Sequence, residues 1–263
     1  MVLQLKVAIL LLLLIFIVNY LLKQKERFIA IEENVIKDRE LKIRLISLPK
    51  DNWKRDRFKK SMVENNQYFS YKMWEGVILR EKPHLLDWAI NKKYTIPPKN
   101  PEAKGNIGSA LAHITLWEEI ANHDDHVSFL VFEDNVLATT KSWEGIKKVE
   151  NLNYDFINLR VIRPEGKKTQ IENVLEFEKK TVKKPLPNGW LSSYLITPKG
   201  ARLFLEELKN NQYDLSVDII DWCVTRFLHS TNTIKAYIID NDEYFGHVET
   251  SGDTRRKENG GIG

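Results

Sequence analysis

The chain carries a single cysteine, Cys223, so it can form no intramolecular disulfide and offers no cysteine-rich zinc site. It also lacks a dominating charge of one sign. The net charge is +4 and is spread along the sequence, apart from one dense basic patch at Lys50–Lys60. That is too little for a dedicated nucleic-acid binder, whose basic face would be extensive, and it fits an anionic ligand at least as well. No internal repeat is visible, which excludes solenoid and propeller architectures. No Asn-x-Ser/Thr sequon occurs. With 263 residues, 43% hydrophobic and 29% charged, the composition is that of a globular protein with a membrane segment attached.

That segment is Val7–Leu22, an almost unbroken hydrocarbon run extended by Leu3 and Leu5. It just reaches the roughly 17–20 residues needed to span a bilayer. No small-x-small cleavage site follows it, so residues 1–25 are expected to be a single-pass anchor rather than a removed signal peptide. Lys23, Lys25 and Arg27 follow the run, against Lys6 and the amino terminus before it. This charge bias leans toward a cytoplasmic body, in line with the missing sequon; an ER or Golgi lumenal body is the alternative. Residues 26–40 read as a charged helical stalk or linker, 41–255 as the body, and 256–263 as a polar tail.

Within the body the pattern alternates between strands and helices. Strands are expected at Leu41–Leu48, Tyr68–Gly76, Val127–Phe132, Tyr154–Arg160, Trp190–Ile196 and Ile234–Ile239. Helices are expected at Trp53–Asn66, Lys82–Lys93, Gly108–Ala121, Thr140–Glu150, Pro198–Asn210 and Val217–Leu228. Val161–Lys184 has weak periodicity and reads as an exposed hairpin or loop. This order implies an α/β domain with a doubly wound, mostly parallel sheet.

The most informative stretch is Val127–Leu137. A buried strand stops abruptly at Glu133-Asp134-Asn135. In covered sheets, ligands gather beyond the carboxyl ends of the strands, and oxygen-bearing side chains there suit a hard cation and a diphosphate. A solvated turn after a core strand is the plainer account of the same residues. His113, inside a helix and four residues before Trp117, reads on its own as a satisfied core or supporting group. Most of the basic residues between Trp53 and Asn66 read as a solvated helix face, with Arg57 set apart.

Seven segments in order, RLISLPKDNWKRDRF (Arg44–Phe58), WEG (Trp74–Gly76), GNIGSALAHITLWEEI (Gly105–Ile120), FLVFEDNV (Phe129–Val136), DFINL (Asp155–Leu159), SYLITPKGARLFL (Ser193–Leu205) and VDIIDW (Val217–Trp222), together resemble glycosyltransferase family 25. The resemblance covers about residues 42–255. It implies a GT-A type nucleotide-sugar fold, a UDP-sugar donor (most often UDP-galactose), a glycan or glycoprotein acceptor, transfer of a hexose with inversion, and Mn or Mg. It places Ser47, Leu48, Arg57, Gly76, Gly108, His113, Glu133 and Asp134 at the donor. Asp134 and Asn135 stand at the metal; His247 would touch the metal or the diphosphate, with an exposed loop histidine as the plainer account. Asp218 is the first choice for the base that takes the acceptor hydroxyl's proton, and Asp221 the second, because one helical turn would let both face one side. As a plain helix, Asp218 would serve equally well as a first-turn acid facing the dipole. The family's acidic cluster usually reads Glu-Asp-Asp, whereas this chain has Asn135, an uncharged and weaker cation ligand. A catalytically silent relative that binds a nucleotide-sugar or glycan is therefore the second hypothesis. A metal-dependent phosphatase using Asp134 is disfavoured, for no second acidic strand end is visible.

Overall fold

The computed structural model describes residues 35–36, 39–149, 152–159, 174–176, 191–231, 233–239 and 245–247. The expected anchor and polar tail lie outside them, as do most of the stalk and of the 161–184 loop. Among the described residues no helix is long and apolar enough to cross a membrane.

The sheet is organised on β2 (Arg39–Ser47) and β4 (Val127–Glu133), which pair in parallel from Glu40↔Val127 to Ile46↔Glu133. β1 (Val35–Ile36) folds back on the start of β2, so the described end of the expected helical stalk is extended chain. β3 (Lys72–Glu75) runs parallel to β2 and is shorter than the expected strand. On the other side of β4 lie β8 (Ser193–Ile196), β6 (Phe156–Asn158), β9 (Ala236–Ile239) and β7 (Val174–Glu176) in that order. β8 is antiparallel to both β4 and β6, while β6 and β9 are parallel. So β2, β3, β4, β6 and β9 share one direction, and β8 is inserted against them. The sheet is mixed α/β with a mostly parallel frame, compatible with a GT-A-like fold. β7 antiparallel to β9, and a two-stranded β5 (Val136–Ala138) with β10 (Phe245–His247), were not signalled by periodicity. Strands of two to four residues are too short to leave a countable pattern.

Alternation along β4 explains the covered sheet. Phe129 and Val131 face a core with α3 (Lys104–Ala121), α5 (Pro198–Asn211) and α6 (Ile220–Ser230). Leu130 and Phe132 face a second core with α1 (Asn52–Glu64) and α4 (Ser142–Val149). Burial on both faces is why Val127–Phe132 reads as an unbroken apolar run. A further helix, α2 (His84–Asn91), packs through Ala89 against α3. α5 starts where Thr197 Oγ1 accepts from Gly200 N–H at 3.1 Å, with Pro198 at its first turn. α6 starts three residues later than the Val217 expected, which matters for Asp218.

Candidate active site

The carboxyl ends of β2, β3 and β4 converge on a pocket whose lining includes Ser47, Leu48, Gly76, Gly108, Glu133 and Asp134. Six of the expected donor-site residues are thus brought together by the parallel frame. Gly76 N–H donates to Ser47 O at 2.8 Å, and Asp134 N–H donates to Ile46 O at 3.1 Å, which fixes the strand ends against one another. Gly108 has a steric reason: a Cβ there would lie 2.5 Å from Val77 O. Only glycine lets the first half of α3 approach the strand ends so closely.

His113 is just behind this pocket, and buried. Its Nδ1 is 3.0 Å from Tyr194 Oη, and its Nε2 is 3.4 Å from Glu133 Oε1. Trp117 Nε1–H donates to the same Tyr194 oxygen at 3.1 Å. Burial pushes the Tyr194 hydroxyl far above the ordinary phenol range, so it keeps its proton. Assigning hydrogens to satisfy every donor gives one chain: Trp117 to Tyr194, Tyr194 O–H to His113 Nδ1, and His113 Nε2–H to Glu133. The opposite tautomer would set a bare ring nitrogen against a carboxylate. Asn135 Nδ2 stands 3.4 Å from the other Glu133 oxygen, Oε2. Tyr194 and Trp117 were read only as parts of a strand and a helix; no sequence signal joins them across 77 positions.

The two candidate bases separate. Asp221, in the first turn of α6, accepts from Leu191 N–H at 2.8 Å. Part of its surface reaches solvent. Even so, burial is the largest effect on its carboxyl and the Glu133 charge adds to it, while the Leu191 N–H and His113 act the other way. The result is a carboxyl pushed up to about 7. Asp218 precedes α6 rather than lying within it. Its Oδ2 accepts from Asp214 N–H at 3.2 Å and its Oδ1 is 3.6 Å from Arg226. Because Asp218 is outside the helix, helical spacing does not bring the two carboxyls to one side: Asp221 feels the Glu133 charge, while Asp218 braces a turn.

The cations of the basic helix α1 have different surroundings. Arg55, not Arg57, wraps the Ser47-Leu48 corner, with Nη1 donating to Leu48 O at 2.5 Å and Ser47 Oγ at 3.2 Å, and Nη2 to Pro49 O at 2.7 Å and to Asn52 Oδ1. Two residues on a helix are about 200° apart, so both arginines cannot turn to that corner. Arg57 lies over the Trp53 ring at 5.0 Å, and its Nε and Nη2 are buried without a hydrogen-bond partner. Lys54 is also no solvated-face residue. It is 1% exposed, 2.6 Å from Asp51 Oδ2 and 3.8 Å from Asp134 Oδ1. His247 lies on β10 with its backbone opposite Val136, one residue beyond Asn135.

For a divalent cation the donor set is thin. Asn135 Oδ1 is buried and unpartnered, which would suit one. Yet that oxygen is uncharged, and the adjacent Asp134 carboxylate is offset by Lys54. Among the described residues no three His, Cys, Asp or Glu side chains are grouped to hold a metal. The described side chains therefore do not by themselves make up a cation site.

Comparison with known proteins adds one family and two relatives. The family model described as "Glycosyltransferase family 25 (LPS biosynthesis protein)" matches residues 40–220. Two proteins, named "Putative glycosyltransferase" and "Putative glycosyltransferase R655", are similar to parts of the chain. One, from Haemophilus influenzae, is 24% identical over 143 residues, 52% of this chain and 49% of its own length. The other, from Acanthamoeba polyphaga mimivirus, is 28% identical over 111 residues, 41% of this chain and 33% of its own. The chain thus spans half or less of the length of these relatives.

Proposed function

Since the chain belongs to glycosyltransferase family 25, we propose that it moves a hexose, galactose by first choice, from a UDP-sugar to a hydroxyl of a glycan or glycoprotein, with inversion. The observation that carries this reading is the pocket at the carboxyl ends of β2, β3 and β4, lined by Ser47, Gly76, Gly108, Glu133 and Asp134, with the Asp221 carboxyl feeling the Glu133 charge. In the proposed step the acceptor oxygen forms a bond to the anomeric carbon as its proton passes to Asp221. The bond from that carbon to the diphosphate oxygen breaks, and UDP leaves with the electron pair. A carboxyl held near neutrality suits that proton transfer, since a base works best with a pKa close to the ambient pH. Arg57, expected near the diphosphate, lies over the Trp53 ring and would have to leave it to offer its unpartnered Nε and Nη2; Arg55 is the arginine that stands at the Ser47-Leu48 corner of the pocket. Mn or Mg enters only as an ion that could be carried by the donor's phosphates, and no step is routed through it.

The test is a donor screen of the full-length protein in detergent, reading free UDP with and without Mn, and again with a chelator. Expected is UDP release from a UDP-hexose that persists in the chelator. An absolute need for Mn would return Asp134 and Asn135 to the role of ligands. No release from any UDP-sugar would favour the silent binding module, a reading that Asn135 itself supports. Membrane anchoring through Val7–Leu22, with the body on the cytoplasmic side, is part of the same proposal. Carbonate extraction that frees the protein would sink the anchor, and full protease protection in sealed cytoplasmic-side-out vesicles would reverse the side.

A further inference from the structure

The turn that carries the chain into α6 is clasped to the stretch that carries it into α3. Asp214 is 5% exposed and uses both carboxylate oxygens. Its Oδ2 accepts from Lys99 N–H at 3.1 Å. Its Oδ1 accepts from Ser216 N–H at 3.0 Å and from the Ser216 hydroxyl at 2.5 Å. That proton direction leaves Ser216 Oγ free to accept from Asn100 N–H at 3.0 Å. Thr95, also buried, repeats the pattern: its hydroxyl donates to Tyr213 O at 2.8 Å and accepts from Leu215 N–H at 3.4 Å. Ile96 N–H donates to the same Tyr213 oxygen at 3.2 Å. Burial alone would raise the Asp214 carboxyl. The hydrogen bonds from Ser216 and Lys99 outweigh it and hold the group below the usual carboxylate value, so it stays an anion that accepts on both oxygens.

Both ends of this clasp lead to the site. Downstream, Asp214 N–H donates to Asp218 Oδ2 at 3.2 Å, and Asp218 N–H donates back to Asp214 O at 2.6 Å. These bonds close the turn directly ahead of α6, whose first turn carries Asp221. Upstream, Asn100 O accepts from Ala103 N–H at 3.1 Å, and Ala103 O accepts from Ile107 N–H at 3.2 Å in the first turn of α3. Gly105, Gly108 and Ser109 of that helix line the pocket, whereas Thr95, Asp214 and Ser216 do not. The clasp thus joins the helix that carries the base to the helix that walls the donor pocket, without itself entering the pocket.

Resting on the transferase reading above, with Asp221 as its base, we propose that Asp214 is a positioning residue for the transfer step. With Ser216 and Thr95 it fixes the start of α6 against the start of α3, so that Asp221 keeps its place relative to a donor held in the pocket. The strand ends at Ser47-Leu48 and Gly76 are held by their own bonds and do not depend on the clasp. Its effect therefore falls on the chemical step rather than on nucleotide binding. A reacting group misplaced by about 1 Å loses on the order of a hundredfold in rate. Residues 95–103 and 214–222 are, on this proposal, one rigid piece.

The experiment uses the full-length protein in detergent and compares wild type with Asp214→Asn, Ser216→Ala, Thr95→Val and Thr95→Ser, with Asp221→Asn as the benchmark for a lost base. Asparagine keeps the shape of Asp214 but turns an NH2 toward the N–H of Lys99 or of Ser216. Valine keeps the shape of threonine without its hydroxyl, and serine keeps the hydroxyl. Readouts are kcat and KM for UDP release from the UDP-hexose found in the donor screen, calorimetric affinity for UDP, and amide hydrogen exchange over residues 95–103 and 214–222. Circular dichroism is the folding control. Expected for Asp214→Asn is a fall in kcat on the order of tenfold to a hundredfold with UDP affinity unchanged. Thr95→Val should fall in the same direction, Thr95→Ser should keep the wild-type kcat, and exchange should quicken in both segments together. The proposal is overturned, with the transferase reading intact, if Asp214→Asn and Thr95→Val keep a kcat that Asp221→Asn loses. UDP affinity falling in step with kcat, faster exchange in one segment only, or Thr95→Ser as impaired as Thr95→Val would also overturn it. Should Asp214→Asn not fold, Ser216→Ala and the two threonine variants decide by the same criteria. Wild-type kcat in Asp221→Asn overturns the base assignment and the proposal with it, and a wild type that neither binds nor turns over any UDP-sugar overturns the transferase reading as a whole.

Discussion

Replacing Lys54 by methionine tests the buried ion pair that joins α1 to the site. Methionine keeps most of the side chain's length and apolar bulk but removes the ammonium. In the native arrangement that ammonium lies 2.6 Å from Asp51 and 3.8 Å from Asp134, and all three side chains are 4% exposed or less. Taking the cation away leaves two carboxylates in the interior without it. Breaking a buried pair in this way costs about 3–5 kcal/mol, because the partner's desolvation is no longer offset. With a urea m-value of about 3 kcal/mol/M, the upper end for small domains, the unfolding midpoint should fall by about 1–1.7 M. The assay is equilibrium urea unfolding followed by tryptophan fluorescence. Adding Asp51→Asn to Lys54→Met removes the nearer carboxylate and should recover a large part of the loss. A midpoint shift under about 0.3 M, or a double variant no better than the single one, would refute the view that this cation is what keeps Asp51 and Asp134 in the interior.

Two further outcomes follow from the same geometry. Asp221 is raised from the ordinary carboxylate value of 3.8 to about 7. A carboxyl raised in the folded state favours folding while protonated, so that contribution is present at low pH and is lost as pH rises from 3.8 to about 7. Base function gains across the upper part of that window, so kcat should show a rising limb near pH 7. Glu133→Gln should move the limb to lower pH by removing one of the charges that raise Asp221, and a limb that stays in place would deny the coupling. Gly108→Ala puts a Cβ 2.5 Å from Val77 O, and since both partners are backbone the α3 start must move. A stability loss of about 1–3 kcal/mol, with a raised KM for the donor, is expected from such overpacking. An unchanged thermal midpoint would show that the helix has room to shift.

The apolar run of β4 and its acidic stop, the glycines of the pocket and the order of most elements were legible along the chain. Each is written locally: a strand covered on both faces must be apolar at every position, and a close backbone approach must be glycine. The resemblance to family 25 came from the same local segments, and residues 40–220 match that family. What local pattern could not supply was direction and partnership. β8 reads like any other strand, and only its pairing with β4 and β6 makes it antiparallel. Asp218 and Asp221 look like two acids on one helix. The later start of α6 sends one to Arg226 and leaves the other, at Leu191 N–H, under the Glu133 charge.

The basic patch shows the same division. Lys54, Arg55 and Arg57 are alike in composition, so sequence alone determined that this segment is a charged helix and no more. Tertiary structure decided that one cation is buried between two aspartates, one braces the Ser47-Leu48 corner, and one lies over Trp53. Side-chain direction on a helix turns by about 100° per residue. The packing of α1 against β2 and β4 therefore assigns each cation its partner. Asn135 belongs to that second category. Its identity marks a departure from the usual acidic cluster, but its contact with Glu133 exists only in the folded chain, where two neighbours of a strand end turn toward each other.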